Sequence, residues 1–332
     1  MRVRYSGRTV AAIVLSLVPI VVAADDADVK GEPFSSLVVF SGSLSDTGNA
    51  ASVSGNFPEP FYNNRTTNGP AAIDIFANRF HLSAEPSLHL TGQQGGGTNY
   101  AVLHASAHGD LPIDLPAQIQ AYLGPRNNIA DPKALYFIFI GANDIVSATI
   151  EQDSQKSEAI LNNGIQAVET AFRNLYMAGA KTFYAPNNVN LGIAPVTRDF
   201  GVSARATQLT VKFNHLWEQK LRQLERDLDI TIFRFDFFRL AEDLLNTSGT
   251  LGLTDVTHSC LALQAQGKCD LDRFAFFNEL LPTKRIHEFL GNGLAEALVQ
   301  QLMSRECTVE HRCGRRSNAR AYAAISGMED VE

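Results

Sequence analysis

Short apolar runs alternate with long amphipathic stretches along this chain, and that alternation restricts its fold more than any other feature. Leu37 to Phe40 (LVVF), Leu135 to Ile140 (LYFIFI), Thr182 to Ala185 (TFYA) and Ile230 to Phe235 (ITIFRF) are brief and rich in β-branched or aromatic residues. Such runs suit strands buried on both faces of a parallel sheet. Apolar residues at 206, 209, 213, 216, 217, 221, 224 and 228 recur every three or four positions, which predicts a helix over Val202–Leu228. A second is predicted over Thr283–Met303, with Ile286, Phe289, Leu290, Leu294, Leu298 and Leu302 on one face. The pattern predicts an α/β domain, a three-layer α/β/α sandwich around a mostly parallel sheet. A ligand in such a fold binds beyond the carboxyl ends of the strands.

The ends of the chain differ from this pattern. Arg2, Arg4 and Arg8 precede an apolar run, Val10 to Val22, too short to span a bilayer comfortably, and Val22-Ala23-Ala24 offers small residues for cleavage. Residues 1–24 are therefore expected to be a signal peptide, 25–306 one domain, and 307–332 a mobile tail. A secreted, extracellular protein with no membrane association after cleavage follows. Cys260, Cys269, Cys307 and Cys313 fit an oxidising compartment, and the simplest pairing is the local one, 260 with 269 and 307 with 313. Asn64-Arg65-Thr66 and Asn246-Thr247-Ser248 are sequons for N-glycans in a eukaryotic host. A net charge of −7 argues against a nucleic-acid partner, which calls for a basic face. No cofactor or metal is expected: Gln93 to Gly97 lacks the Lys-Ser/Thr of a phosphate loop, and His104 and His108, spaced for one helical face, have no acidic partner nearby.

Chemistry first suggests itself at Phe40-Ser41-Gly42-Ser43-Leu44-Ser45-Asp46-Thr47-Gly48-Asn49, directly after the first strand. A serine where a strand turns into a helix has an exposed hydroxyl with free backbone N–H groups around it, the surroundings a nucleophile needs. Asp46-Thr47-Gly48 has the letters of an aspartic-protease loop, but that chemistry needs a second such loop or a dimer, and no second Asp-Thr/Ser-Gly occurs.

Companion segments follow in order: Arg65-Thr66-Thr67-Asn68-Gly69-Pro70, Gly96-Gly97-Thr98-Asn99-Tyr100-Ala101, Gly141-Ala142-Asn143-Asp144, Pro186-Asn187, Leu191-Gly192, and Phe276-Phe277-Asn278-Glu279-Leu280-Leu281-Pro282-Thr283 with His287 beyond. From Leu37 to Leu302 the chain strongly resembles the GDSL family of SGNH hydrolases, particularly secreted esterases that include acetylesterases of plant-wall carbohydrate. The resemblance implies a flavodoxin-like sandwich, Ser43 as nucleophile and Asn143 as an oxyanion donor.

It also shows where the chain departs from its family. The family's Gly-Asp before the serine is Ser41-Gly42 here. A glycine pair that follows Asn-Tyr-Ala and supplies a backbone oxyanion donor is Leu103-His104. The final Asp-x-x-His-Pro-Thr becomes Asn278, Leu281 and Pro282-Thr283, so the base and its orienting carboxylate are both missing. The expectation is an ester-hydrolase fold that is catalytically impaired, a pseudoenzyme with a carbohydrate or acyl-ester ligand. One alternative is an active esterase in which His104 or His258 replaces the base; another is a structural or partner-binding protein. His287, six residues past Leu281 and roughly 9 Å farther along a helix, is expected to be structural.

Overall fold

The structure, a computed structural model, describes residues 33–92, 96–249 and 251–310, without the side chains of 306–310. The expected signal peptide, the chain beyond Glu310, the expected Cys307–Cys313 pairing and residues 93–95 of the glycine-rich loop lie outside the described residues. Four strands form one parallel sheet in the order β1 (Leu37–Ser41), β2 (Leu135–Phe139), β3 (Thr182–Pro186), β4 (Thr231–Phe235). Every residue of β1 and β2 is buried, as their unbroken apolar runs require.

Successive strand residues supply two cores. Val38, Phe40, Tyr136, Ile138 and Phe183 face one, Leu37, Val39, Leu135, Phe137 and Tyr184 the other. The first core is closed by helices Leu115–Leu123, Ser154–Ala178 and Ser203–Asp227, through side chains such as Ile119, Phe172 and Trp217. Helices Ala72–Arg79 and Lys284–Glu310 close the second with Phe76, Leu290 and Leu294. The three-layer α/β/α sandwich is therefore realised. Ser203–Asp227 occupies nearly the predicted span, while the last helix continues past Met303 to Glu310. No helix among the described residues is long and apolar enough to cross a membrane.

Residues 98–102 run along the free side of β1. Val39 N–H donates to Thr98 O (3.0 Å), Tyr100 N–H to Val39 O (2.8 Å) and Val102 N–H to Ser41 O (3.2 Å). The chain thus leaves β1, passes along one side of it and returns on the other side as β2. This is the strand-order reversal that opens a crevice at the carboxyl ends of the strands, and Ser43 and Asn143 both stand there.

Two further strands escape the periodicity. β5 (Asp255–Ser259) and β6 (Phe274–Phe276) pair in parallel, and a Cys260–Cys269 disulfide closes the intervening segment. That bond realises half of the expected local pairing. The helix-like spacing of His104 and His108 is not realised: residues 103–108 form turns, held by hydrogen bonds from outside the segment.

Candidate active site

Ser43 opens a single 3-10 turn, Ser43–Ser45, immediately beyond β1. Its hydroxyl accepts a 3.3 Å hydrogen bond from the His104 backbone N–H. Ser41 is fully buried and donates to Phe139 O at 2.6 Å. The Gln118 side-chain amide clamps the Ser41 backbone, accepting from its N–H at 3.0 Å and donating to its carbonyl at 2.9 Å. Gly42 is extended (φ −104°, ψ −150°), a conformation open to any residue.

The segment bearing His104 hangs on three aspartates. Asp46 is completely buried and accepts from Leu103 N–H at 2.8 Å, as well as from Gly48, Asn49 and Ala50 N–H. Asp114 accepts from Ser106 (2.9 Å) and Leu111 (3.0 Å), and Asp144 from Ala107 (2.7 Å) and His108 (3.1 Å). Burial raises the Asp46 carboxyl above the ordinary carboxylate range, its backbone donors opposing the shift, and pushes Asp144 up to about 6. His104 has φ +69°, the left-handed region that glycine tolerates best.

Asn143 stands in the first turn of helix Ala142–Ile150. The preceding Gly141 has φ +112°, and a Cβ there would meet the Phe213 ring at 2.3 Å, so only glycine makes this turn. Asn143 Nδ2 donates to Ala105 O at 2.7 Å, which leaves the second amide hydrogen for a ligand.

Leu281 completes the enclosure. Asn278 Oδ1 accepts from the N–H groups of Leu280 (3.0 Å) and Leu281 (2.7 Å), fixing the turn from within. Two adjacent threonines tie this turn to the serine: Thr66 Oγ1 donates to Ser43 O (2.7 Å) and Thr67 Oγ1 to Pro282 O (2.8 Å). Between them lies a cavity of about 90 Å³. Ser43, Asn143, Leu44, Leu244, Leu281 and Ile286 are among its lining residues, and none of the lining residues is Asp, Glu, His, Lys or Arg.

The family model of GDSL-like lipases and acylhydrolases matches residues 37–294. The chain belongs to that family. Among its relatives, acetylajmalan esterase 2 of Rauvolfia serpentina is 26% identical over 294 residues, covering 74% of this chain and 81% of the relative. The phosphatidylcholine-sterol acyltransferase of Aeromonas hydrophila is 27% identical over 254 residues, covering 74% and 70%. A solved acetylxylan esterase, Axe2 of Geobacillus stearothermophilus, is 10% identical with a TM-score of 0.42 over 81% of this chain and 94% of that one.

Set on the GDSL-family blocks, the geometry separates the candidate residues. Ser41, Gly42, Ser43, Asn143 and Leu281 share the cavity wall. Leu103 and His104 flank it, and the latter reaches Ser43 through its backbone; the His104 side chain is exposed and does not line the cavity. Asn278 stands behind Leu281 as its support. His258 and His287, the other histidines weighed for the site, are absent from the cavity wall. His258 Nδ1 lies 2.7 Å from Asp255 Oδ2 with its side chain 63% exposed. His287 is buried, its Nδ1 accepts from Ala72 N–H at 3.0 Å, and burial lowers its pKa to about 4. Among the described residues no group of three or more His, Cys, Asp or Glu side chains is placed to hold a metal.

Sequence reasoning does not reach Asp114 and Gln118, and it quotes Asp46, Thr66, Thr67 and Asp144 as motif letters without the bonds they make. The letters Asp46-Thr47-Gly48 point toward a protease loop rather than toward a backbone acceptor. The position of Asp46 two residues before Gly48-Asn49 is a local signal for a side chain that accepts backbone N–H groups.

Proposed function

We propose that this GDSL-family member is a secreted, catalytically impaired ester hydrolase that keeps a cleft for a carbohydrate or acyl-ester ligand. The observation that carries this reading is the cavity around Ser43, whose wall, among the described residues, holds no ionisable side chain. A serine hydroxyl is a weak nucleophile without an adjacent base, and among the described residues Ser43 Oγ meets only the His104 backbone N–H. Losing the base in another serine hydrolase lowers the rate on the order of a million-fold. Donors remain to polarise a carbonyl, so binding outlives turnover. Secretion is supported by the basic and apolar leader pattern and by the Cys260–Cys269 disulfide.

A substitute-base reading draws on one observation, the Asp255–His258 pair, which orients an imidazole as a hydrolase would. His258 is absent from the cavity wall, so this reading is second.

Hydrolysis of p-nitrophenyl acetate tests both. Wild type and Ser43→Ala are expected to show equal, near-background rates. Replacing Leu281→His and Asn278→Asp, with Gly42→Asp, should create a Ser43-dependent rate at least about ten-fold above wild type, a small fraction of what a restored base can supply. The aspartate at 42 fits, because a Cβ there makes ordinary contacts of 3.5 Å to Ala105 O and 3.8 Å to Asn143 Nδ2. Ser43-dependent wild-type turnover that disappears in His258→Asn would replace the first reading with the second.

A further inference from the structure

We infer that the outer edge of β4 is a pairing surface for a second copy of this chain, and that three side chains, Gln301, Glu225 and Arg234, hold it shut. The main sheet has two edges. Residues 98–102 cover the outer side of β1 with backbone hydrogen bonds, so among the described residues β4 is the edge without a neighbouring strand. Its sequence, TIFRF, has the β-branched and aromatic residues that suit a strand. It carries no proline and pairs with β3 through all five positions without a bulge. An edge of this kind invites pairing with another chain.

Thr231 N–H donates to Lys181 O, and Phe235 O accepts from Asn187 N–H. The odd-numbered residues therefore turn their backbone groups toward β3, and Ile232 and Arg234 turn theirs outward. All four outward groups are taken by side chains. Ile232 N–H donates to Glu225 Oε1 (3.3 Å), and Ile232 O accepts from Arg234 Nη1 (3.0 Å). Arg234 N–H donates to Gln301 Oε1 (3.1 Å), and Arg234 O accepts from Gln301 Nε2 (2.8 Å). Gln301 thus gives Arg234 the two bonds that a residue of a fifth strand would give. Its other amide hydrogen goes to Ala297 O (3.0 Å), which fixes the side chain to its own helix. Glu225 Oε2 (2.8 Å) and Glu218 Oε2 (3.0 Å) hold the Arg234 guanidinium in place.

The partner follows from the edge itself. Two β4 strands set antiparallel about a two-fold axis at Phe233 would place Ile232 opposite Arg234 of the second copy. The same outward groups would then exchange N–H···O bonds across the axis. Pairing replaces side-chain partners with backbone partners one for one, and it adds the loss of translational and rotational freedom, so the intramolecular bonds prevail.

Sedimentation velocity of the mature protein over about a hundred-fold concentration range tests this, together with deuterium exchange of segment 231–235. In wild type, exchange of that segment is expected to ignore concentration. Glu225→Ala combined with Gln301→Ala removes the acceptors of both outward N–H groups. It should raise the weight-average mass about two-fold over wild type and slow exchange at 231–235 as concentration rises. Gln301→Ala alone covers the case in which the double variant does not fold. It frees both groups of Arg234 while the longest of the four bonds, 3.3 Å to Glu225, still guards Ile232, so the same protection should appear at the top of the range. Gln266→Ala, at an exposed glutamine outside β4 and its two flanking helices, should behave as wild type. A folded double variant that stays monomeric overturns the inference. If the double variant does not fold, a Gln301→Ala protein whose exchange ignores concentration overturns it instead. Association that leaves 231–235 unprotected also overturns it, as does wild type in which this segment gains protection with concentration.

Discussion

At the scale of single residues, His104 illustrates how a substitution can keep a function of the backbone while straining it. Its N–H sits on Ser43 Oγ, the place where the family pattern carries glycine, and φ +69° is the reason glycine belongs there. A left-handed conformation costs a side-chain-bearing residue about 1–2 kcal/mol, and glycine gives back about 0.4–1 kcal/mol through its freer unfolded chain. His104→Gly is therefore expected to raise stability by roughly 0.5–1 kcal/mol in urea unfolding. A lowered midpoint would mean that the imidazole packs usefully in solution. Ser41 carries the opposite lesson. Although the family pattern has glycine there, its hydroxyl is bonded to Phe139 O inside the sheet, so restoring glycine would remove a buried hydrogen bond, and the catalytic revertant should leave Ser41 alone.

At the scale of elements, the turn segment 103–111 owes its shape to three carboxylates, two of them from distant parts of the chain. Asp46 comes from the serine turn, Asp114 precedes helix Leu115–Leu123, and Asp144 lies in helix Ala142–Ile150. Asp114 is a near neighbour in the chain, but Asp46 and Asp144 are 36 to 57 residues from the groups they hold there, so local propensity alone does not set these turns. Asp46→Ala would leave four buried or partly buried N–H groups without their acceptor. At 1–3 kcal/mol for each group left fully unsatisfied, and with partial relief from water, the expected loss is about 3–5 kcal/mol. Chemical denaturation measures it; a loss below about 1 kcal/mol would show that the segment is held by other contacts. The same non-local origin explains why His104 and His108, correctly spaced for a helix, do not lie on one.

For the whole molecule, two of the buried titratable groups, His287 and Asp144, respond to acid in opposite directions. His287 is neutral when folded because burial lowers its pKa to about 4 from 6.5. The unfolded chain takes up that proton first, so stability present above pH 6.5 is lost as pH falls toward 4, by about 3 kcal/mol in all. Asp144 behaves inversely: its carboxyl, raised to about 6 from 3.8, favours the folded state at low pH and withdraws that contribution as pH rises toward 6. The windows overlap and largely cancel. His287→Asn keeps an acceptor for Ala72 N–H and removes the titration, so on moving from pH 6.5 to 4 it should gain about 3 kcal/mol relative to wild type. Parallel thermal melts that keep a constant separation across this range would contradict the buried, neutral assignment. By itself the sequence determined the strands of the main sheet, two of the three long helices, Ser154–Ala178 being the one not predicted, and the presence of Asn278 and Leu281 where the family pattern has Asp and His. These are written in local periodicity, in residue identity and in the order of the family's blocks. Only the tertiary structure decided that Asp46 reaches Leu103, that Thr67 reaches Pro282 across a separation of 215 residues, and that the cavity lining has no ionisable side chain. Hydrogen bonds and cavity walls join residues far apart in the chain, and no local pattern specifies which distant groups will meet.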